Sequence, residues 1–306
     1  MVQRILEPGQ IEALASRSVP RLVLPARERV FAARAARLEA LAVRDPLGGY
    51  LTFAAALAHA QHDAAAALSP VAPDPGVLAA ARAHGMPILP ARGLRRGSEW
   101  RDALAAILAA LGRARFPAPV AQAGERLGAE PVALLEARAE RLLAADGRDA
   151  DPAAAPFVIA ALQVYWVVLA SGRAPADVPL AEAAAVCPVC GMLPVASIVR
   201  SQSPYAGYRY LQCGLCASEW HRVRVECTQC GAADGISYQS IEGGPAAIRA
   251  ETCERCRCYR KIFYQEHDDG VEAVADDLAS MALDLLLAEA GYQRASAHPL
   301  LWQPAS

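Results

Sequence analysis

Eight cysteines recur at an offset of forty residues: Cys187, Cys190, Cys213 and Cys216 are matched by Cys227, Cys230, Cys253 and Cys256. Each unit reads C-x2-C-x22-C-x2-C, and glycine follows the first pair in both, as Gly191 and Gly231. Four matched offsets are far more specific than one C-x2-C. Two tight turns that each present two sulfurs can enclose one ion in a tetrahedron, at about 2.3 Å per sulfur. The glycine supplies the positive φ at which backbone N–H groups turn toward sulfur. The 22 intervening residues suffice for a small antiparallel ribbon. Such an ion contributes about 10–16 kcal/mol to folding a unit too small to hold itself together. A thioredoxin-like disulfide would need a βαβ context, which this pattern lacks. Zinc and iron both accept four thiolates, so spacing leaves the metal open, as it leaves open whether the ion does more than hold the ribbon.

The ninth cysteine, Cys258, has no counterpart, because Ser218 stands at the matching position. It is read as a free thiol or an alternative ligand. All nine lie between Cys187 and Cys258, and the first 186 residues have none. The opening segment "MVQRILEPGQIEALASRSVP" carries early acids and no apolar h-region. The expected address is therefore the cytoplasm, where clustered cysteines serve metal or redox chemistry rather than structural disulfides.

The remaining residues organise around this cluster as an α+β chain. Residues 1–180 are expected to form an irregular helical domain. Phe31, Ala35, Leu38 and Leu41 recur at spacings of three and four, with Arg29, Arg37 and Glu39 elsewhere on the wheel. Asp45 reads as a cap or turn residue before a helix with Tyr50, Phe53 and Leu57 on one face, Ser98 as a further cap, and Gly147 as a C-terminal stop. From Pro152 to Ser171 the chain has no charge and the length of a membrane span. Gln163 near its middle and a strongly apolar part of only Phe157–Ala170 favour a buried helix instead.

From Cys187 onward, "YRYLQC", "SEWHRVRVEC", "GISYQSIE", "AAIRAETC" and "CYRKIFYQE" read as strands between cysteine knuckles. Residues 181–226 make the first four-cysteine module, 227–266 the second, and 267–306 a C-terminal helix and tail. In that helix Val271, Val274, Leu278, Met281 and Leu285 form the stripe, and Gly291 the stop. Asp276 and Asp277 fall off the stripe and are expected in solvent, with contact to a partner or to the metal modules as the alternative. Pro299 and Trp302 belong to a partly extended tail.

The net charge of −2 excludes a generally basic nucleic-acid binder. Between Cys187 and Lys261, the chain's single lysine, nine basic residues face six acidic ones, a mild patch. His221 follows Trp220 near the first cysteine set, but four sulfurs already complete a shell; His59, His62 and His267 lack convergent partners. No phosphate loop, HExxH or GxSxG motif occurs. The chain is not expected to be an enzyme.

At "CPVCGMLPVAS", "YRYLQCGLCASEWHRVRVEC", "AAIRAETCERC" and "YQEHDDGVEAVADDLAS", and at "DPLGGYLTFAAALAHAQ" and "APFVIAALQVYW" in the first half, the chain resembles the formate dehydrogenase accessory protein family, FdhE. The resemblance implies a cytoplasmic, non-enzymatic maturation factor for respiratory formate dehydrogenase. It implies a helical domain followed by two rubredoxin-like or zinc-ribbon-like four-cysteine modules, each with one metal ion, iron favoured and zinc the alternative. The implied partner is the catalytic, molybdenum-containing subunit before export, with no nucleic acid and no stable membrane insertion. By position the family's ligands fall on Cys187, Cys190, Cys213 and Cys216, then Cys227, Cys230, Cys253 and Cys256. One departure stands out: a small residue such as glycine is expected after Cys256, where this chain has Arg257 and then Cys258. Repeat symmetry favours Cys256 over Cys258 as the ligand. Competing readings are a rubredoxin-like electron carrier or redox sensor and, more remotely, a nucleic-acid-binding zinc ribbon.

Overall fold

The computed structural model describes residues 19–43, 45–69, 74–113, 116–144, 151–181 and 184–301. The first half is helical: α1 (Arg27–Ala42), α2 (Gly48–Ala67), α3 (Pro75–Ala83), α4 (Glu99–Leu111), α5 (Ala118–Gly128), α6 (Val132–Ala144) and α7 (Ala155–Ser171). The Asp45 carboxylate accepts from Leu47 N at 2.8 Å and so forms the turn that admits α2. Ser98 sits at the N-cap of α4, but its side chain makes no capping bond. Gly147 and Trp302 lie outside the described residues.

The membrane-like stretch is α7, buried at every position from Ala155 to Ala170. It packs against α1, α2, α4 and α6, so protein rather than lipid covers all its faces. Among the described residues no helix is long and apolar enough to cross a membrane. Gln163 is satisfied inside this core. It accepts from Gln61 Nε2 at 2.8 Å and donates to the carbonyl of Gly214 at 2.6 Å. A buried amide is tolerated because both its groups are bonded, and the second bond ties the helical half to the cysteine half.

The cysteine half is one sheet. Its strands are β1 (Leu22–Val23), β2 (Pro194–Val199), β3 (Arg209–Cys213), β4 (Glu219–His221), β5 (Ile236–Gln239), β6 (Ile248–Cys253), β7 (Cys258–Tyr264) and β8 (Gln293–Arg294). The order is β1-β4-β3-β2-β7-β6-β5, with β8 also paired to β7. Each repeat unit is therefore a three-stranded antiparallel meander. A parallel pairing of β2 with β7, Ser197 opposite Ile262 and Val199 opposite Tyr264, fuses the two. Because the joint is parallel, both units point the same way and all four knuckles lie at one end of the sheet. Strand β1 pairs with β4 at Leu22 and Trp220, which covers that edge.

Two expectations about the C-terminal segment are corrected. The helix is not continuous: α8 (Ala273–Ala279) and α9 (Met281–Glu289) meet at Ser280, and Val271 precedes both. The Asp276 carbonyl accepts from both Ser280 N at 3.1 Å and the Ser280 hydroxyl at 2.6 Å, and the next carbonyl, of Asp277, accepts from Lys261 Nζ at 2.8 Å. Asp276 and Asp277 are fully buried, not solvated. Both faces of α8 are covered, one by α1 and the other by the sheet. Each carboxylate is kept by cations arriving from other elements. Arg37 Nε and Nη2 bind Asp276 at 3.1 and 2.6 Å. Lys261 Nζ lies 3.3 Å from Asp277 and 2.6 Å from Asp284, and Arg294 pairs with both.

The tail closes over this network through His298. Its Nε2 is 2.9 Å from the Val274 carbonyl, and its Nδ1 accepts from Leu300 N at 3.0 Å, which together assign the neutral Nε2–H form. Burial pushes the imidazole down to about 4, with Arg294 and Lys261 acting in the same direction and Asp277 opposing. The unfolded chain takes up a proton here as pH falls through its ordinary value of 6.5, whereas the folded protein resists to about 4. Stability from this group is thus lost as pH drops across that window, by about 3 kcal/mol. His298→Gln is expected to flatten the acid slope of the unfolding free energy there, as read by urea titrations across the window.

Candidate metal centres

The first knuckle is built by its own backbone. Gly191 N donates to the Cys187 carbonyl and Cys187 N to the Met192 carbonyl, both at 2.8 Å. Gly191 takes φ +77°, the left-handed conformation that glycine adopts without strain. At the second knuckle, Leu215 N and Cys216 N point at Cys213 Sγ at 3.4 and 3.5 Å. The fold brings Cys187 Sγ to 3.5 Å from Cys216 Sγ, and Cys190 Sγ to 3.3 Å from Cys213 Sγ.

The second centre repeats this. Gly231 N donates to the Cys227 carbonyl at 2.9 Å and Cys227 N to the Ala232 carbonyl at 2.8 Å, with Gly231 at φ +75°. Cys227 Sγ is 3.7 Å from Cys256 Sγ, and Cys230 Sγ is 3.7 Å from Cys253 Sγ. Within each set all four sulfurs lie inside 4.8 Å of one another. These are not disulfides, whose sulfurs sit at about 2.05 Å. A tetrahedron with arms of about 2.3 Å has edges of about 3.8 Å, close to the separations here, so either set could hold one ion.

The equivalence extends to the residue after each second knuckle. Ala217 and Arg257, forty positions apart, take φ 56° and 54°. A small residue was expected at the latter from the family resemblance, and the structure supplies a reason: a side chain in this region costs about 1 kcal/mol. Arg257 offsets that through contacts of its own. Its guanidinium lies 4.1 Å from the centre of the Tyr292 ring, and it donates to Glu254 at 2.6 Å and to the Ala290 carbonyl at 2.8 Å.

Cys258 opens β7 opposite Gln293, with its sulfur 3.5 Å from the Cys256 carbonyl and outside the four-sulfur set. Cys256→Ser is therefore expected to lower the metal content from two equivalents to one, and Cys258→Ser to leave it at two, measured by elemental analysis against protein concentration. His221 is likewise outside the sulfur sets. Its ring packs edge-on against Tyr208 and Tyr210, at 5.6 and 5.8 Å. Burial and then Arg21, Arg209 and Arg222 hold its pKa below the ordinary value. His59 pairs with Glu39, at 2.8 Å on the surface, and His267 lies against Tyr264.

The surroundings of the two centres differ. All four cysteines of the first are buried. Leu89 N and Ala91 N from the helical half donate to the carbonyls of Val189 and Cys190, each at 2.8 Å. The Trp220 indole donates to the Ala184 carbonyl at 2.9 Å. Burial pushes the Cys187 and Cys190 thiols up. At Cys216 burial acts the same way, but the three neighbouring thiols and the Ser218 hydroxyl outweigh it and hold this sulfur well below its usual range. At the second centre burial again pushes Cys227 and Cys256 up, while the Ala232 backbone N–H draws the exposed Cys230 down. A bound ion requires thiolates, so metal uptake and proton release are coupled at both.

Sequence reasoning missed what joins the centres. Arg209 of β3 and Glu251 of β6 form a buried ion pair across the two units. Arg260 of β7 donates to Thr228 Oγ1, inside the C-T-Q-C knuckle, at 3.0 Å. It also reaches the Pro194 carbonyl of the first unit and Ser296 Oγ of the tail. Arginine within a strand reads as solvent-facing, and only the packing of one unit on the other buries it.

Comparisons with known proteins agree along the chain. Family models described as "FdhE, N-terminal", "FdhE, central domain" and "FdhE, C-terminal domain" match residues 19–182, 186–224 and 225–301. The "Protein FdhE homolog" of Edwardsiella ictaluri is 44% identical over 285 residues, 92% of this chain and 91% of that one. The "Protein FdhE" of Escherichia coli is 39% identical over 300 residues, 97% of this chain and 96% of that one. The crystal structure of the FdhE protein from Pseudomonas aeruginosa superposes with a TM-score of 0.86 at 40% identity, covering 94% of this chain and all of that one.

Proposed function

The chain belongs to the FdhE family, and on that premise we propose that it is an accessory protein in the maturation of respiratory formate dehydrogenase, binding the enzyme's catalytic subunit in the cytoplasm and catalysing no reaction itself. In this reading residues 1–180 are the helical body, 181–226 and 227–266 the two metal modules, and 267–306 the segment that locks them to it. Cys187, Cys190, Cys213 and Cys216 hold one ion, and Cys227, Cys230, Cys253 and Cys256 a second. Iron is favoured by the family resemblance, and zinc fits the same donors. The observation that supports this is that both sulfur sets reach metal-binding separations within a chain matched along its length by the family models. When bound, each ion cross-links two knuckles and, as iron, can also gain or lose one electron.

Two experiments test the reading. Affinity-tagged protein from anaerobic cells should co-isolate the catalytic subunit, and a deletion strain should lose formate-dependent dye reduction. Absence of both effects would refute the accessory role. Elemental analysis and an absorption spectrum of anaerobically purified protein should give two equivalents, with thiolate-to-iron charge-transfer bands for iron and none in the visible for zinc.

A further inference from the structure

The two centres differ in what stands between sulfur and solvent. Over the first lies a layer contributed by distant sequence, the 86–91 segment bonded to Val189 and Cys190 and the Gln163 amide on Gly214, beside which Trp220 of the same unit bonds Ala184. Ile88, Leu89 and Ala91 of that layer are themselves almost completely buried. Over the second, segment 290–293 meets the far knuckle, through Arg257 to Tyr292 and Ala290 and Tyr292 to Glu254, but among the described residues no such layer covers knuckle 227–231. Cys230 is the single exposed cysteine of the nine, Cys256 is half-buried, and Gln229, Gly231, Glu254 and Arg255 beside them are exposed. Sulfur contacts apart, the hydrogen bonds of knuckle 227–231 among the described residues are internal, save the one from Arg260 to Thr228.

We infer that the second centre exchanges its ion with external ligands, entering at Cys230, while the first retains its ion as long as the fold persists. This rests on the metal-binding reading above. The exchange step is a ligand substitution: the metal–Cys230 sulfur bond breaks, a thiolate or nitrogen donor of the incoming ligand takes the vacated position, and the freed thiolate takes a proton from water. No electrons are transferred. Repetition at Cys256, the next most accessible sulfur, releases the ion to the acceptor. The same substitution at Cys190 first requires the 86–91 segment to lift away, which breaks two backbone hydrogen bonds and exposes core residues. Openings of that kind are rarer than fluctuations of an exposed turn, because they draw on the stability of the core.

The test uses full-length protein loaded with two equivalents of zinc and challenged with a chromophoric chelator. One equivalent should leave in a fast phase and the other at least about 100-fold more slowly, which corresponds to about 2.8 kcal/mol of additional opening. Alkylation of thiols after the fast phase, mapped by mass spectrometry, should mark Cys227, Cys230, Cys253 and Cys256 and spare Cys187, Cys190, Cys213 and Cys216. Cys230→Ser should carry one equivalent and show the slow phase alone. Two equivalents leaving at one rate, or alkylation appearing first on the Cys187 set, would overturn the inference while leaving metal binding intact. A protein that cannot be loaded with two equivalents would overturn both.

Discussion

Cys190→Ser is expected to abolish the fold, whereas Cys230→Ser, a substitution of the same chemistry forty residues on, is expected to leave the helical half folded. Cys190 is 1% exposed and belongs to one continuous core with Ile88, Leu89, Val189, Val195 and Leu215. A serine there would leave a bound ion three sulfurs in place of four and puts a hydroxyl in an apolar site. A structural ion in such a site is worth about 10–16 kcal/mol to the unit it closes. That is comparable with the whole stability of an ordinary domain, about 5–15 kcal/mol. The loss extends to the helical half because the 86–91 segment and Gln163 are hydrogen-bonded to the knuckles themselves. Around Cys230 the packing is a small satellite cluster of Cys227, Ala232 and Cys253. Far-UV circular dichroism, thermal unfolding and metal content separate the two variants. A Cys190→Ser protein that melts like the parent would refute this account.

Lys261→Met is expected to destabilise the protein by about 3–5 kcal/mol, although it replaces the chain's single lysine with an apolar residue of similar length. Lys261 is 1% exposed and donates to the carbonyls of Asp277 and Ser280 at 2.8 and 3.0 Å, to Ser280 Oγ at 3.0 Å and to Asp284 at 2.6 Å. Without it Arg294 is the one remaining guanidinium or ammonium paired with buried Asp277 and partly buried Asp284 among the described residues, and two carbonyls at the α8–α9 junction lose a donor. Urea unfolding should show a lower midpoint with an unchanged slope.

The same network sets an acid limit. Burial opposes ionisation of Asp277, but Lys261, Arg294 and His298 outweigh it and hold the carboxyl below its ordinary value of 3.8. Its contribution is therefore present above that value and is lost as pH falls through the lower, folded one. In Lys261→Met this part of the acid limb should move to higher pH.

Much of the candidate site was legible beforehand because metal geometry is local. A C-x2-C knuckle with glycine after it presents its sulfurs through bonds among five consecutive residues, and a forty-residue repeat shows which knuckles belong together. The fold was legible to the extent that helices and exposed strands carry periodic signals. Strand β2 was not read as a strand, since "PVASIV" is buried at every position and does not alternate. Strands β1 and β8 are two residues each, too short for any pattern. Asp276 and Asp277 were misplaced because a helical wheel records which residues leave the apolar stripe but not whether another element covers the far side.

Spacing and periodicity along the chain were enough to specify the eight sulfurs, their grouping into two sets and the division into a helical half and a cysteine half. Three-dimensional packing was needed to establish that the two units share one sheet, that the lone lysine is a core residue and that the two centres are unequal. The repeat makes them alike, and their difference comes from what packs against each: the 86–91 segment and α7 close one, and solvent meets the other at Cys230. Contacts between residues a hundred positions apart leave no mark in local spacing, so an identical motif can hold one ion beneath a core and another at the surface.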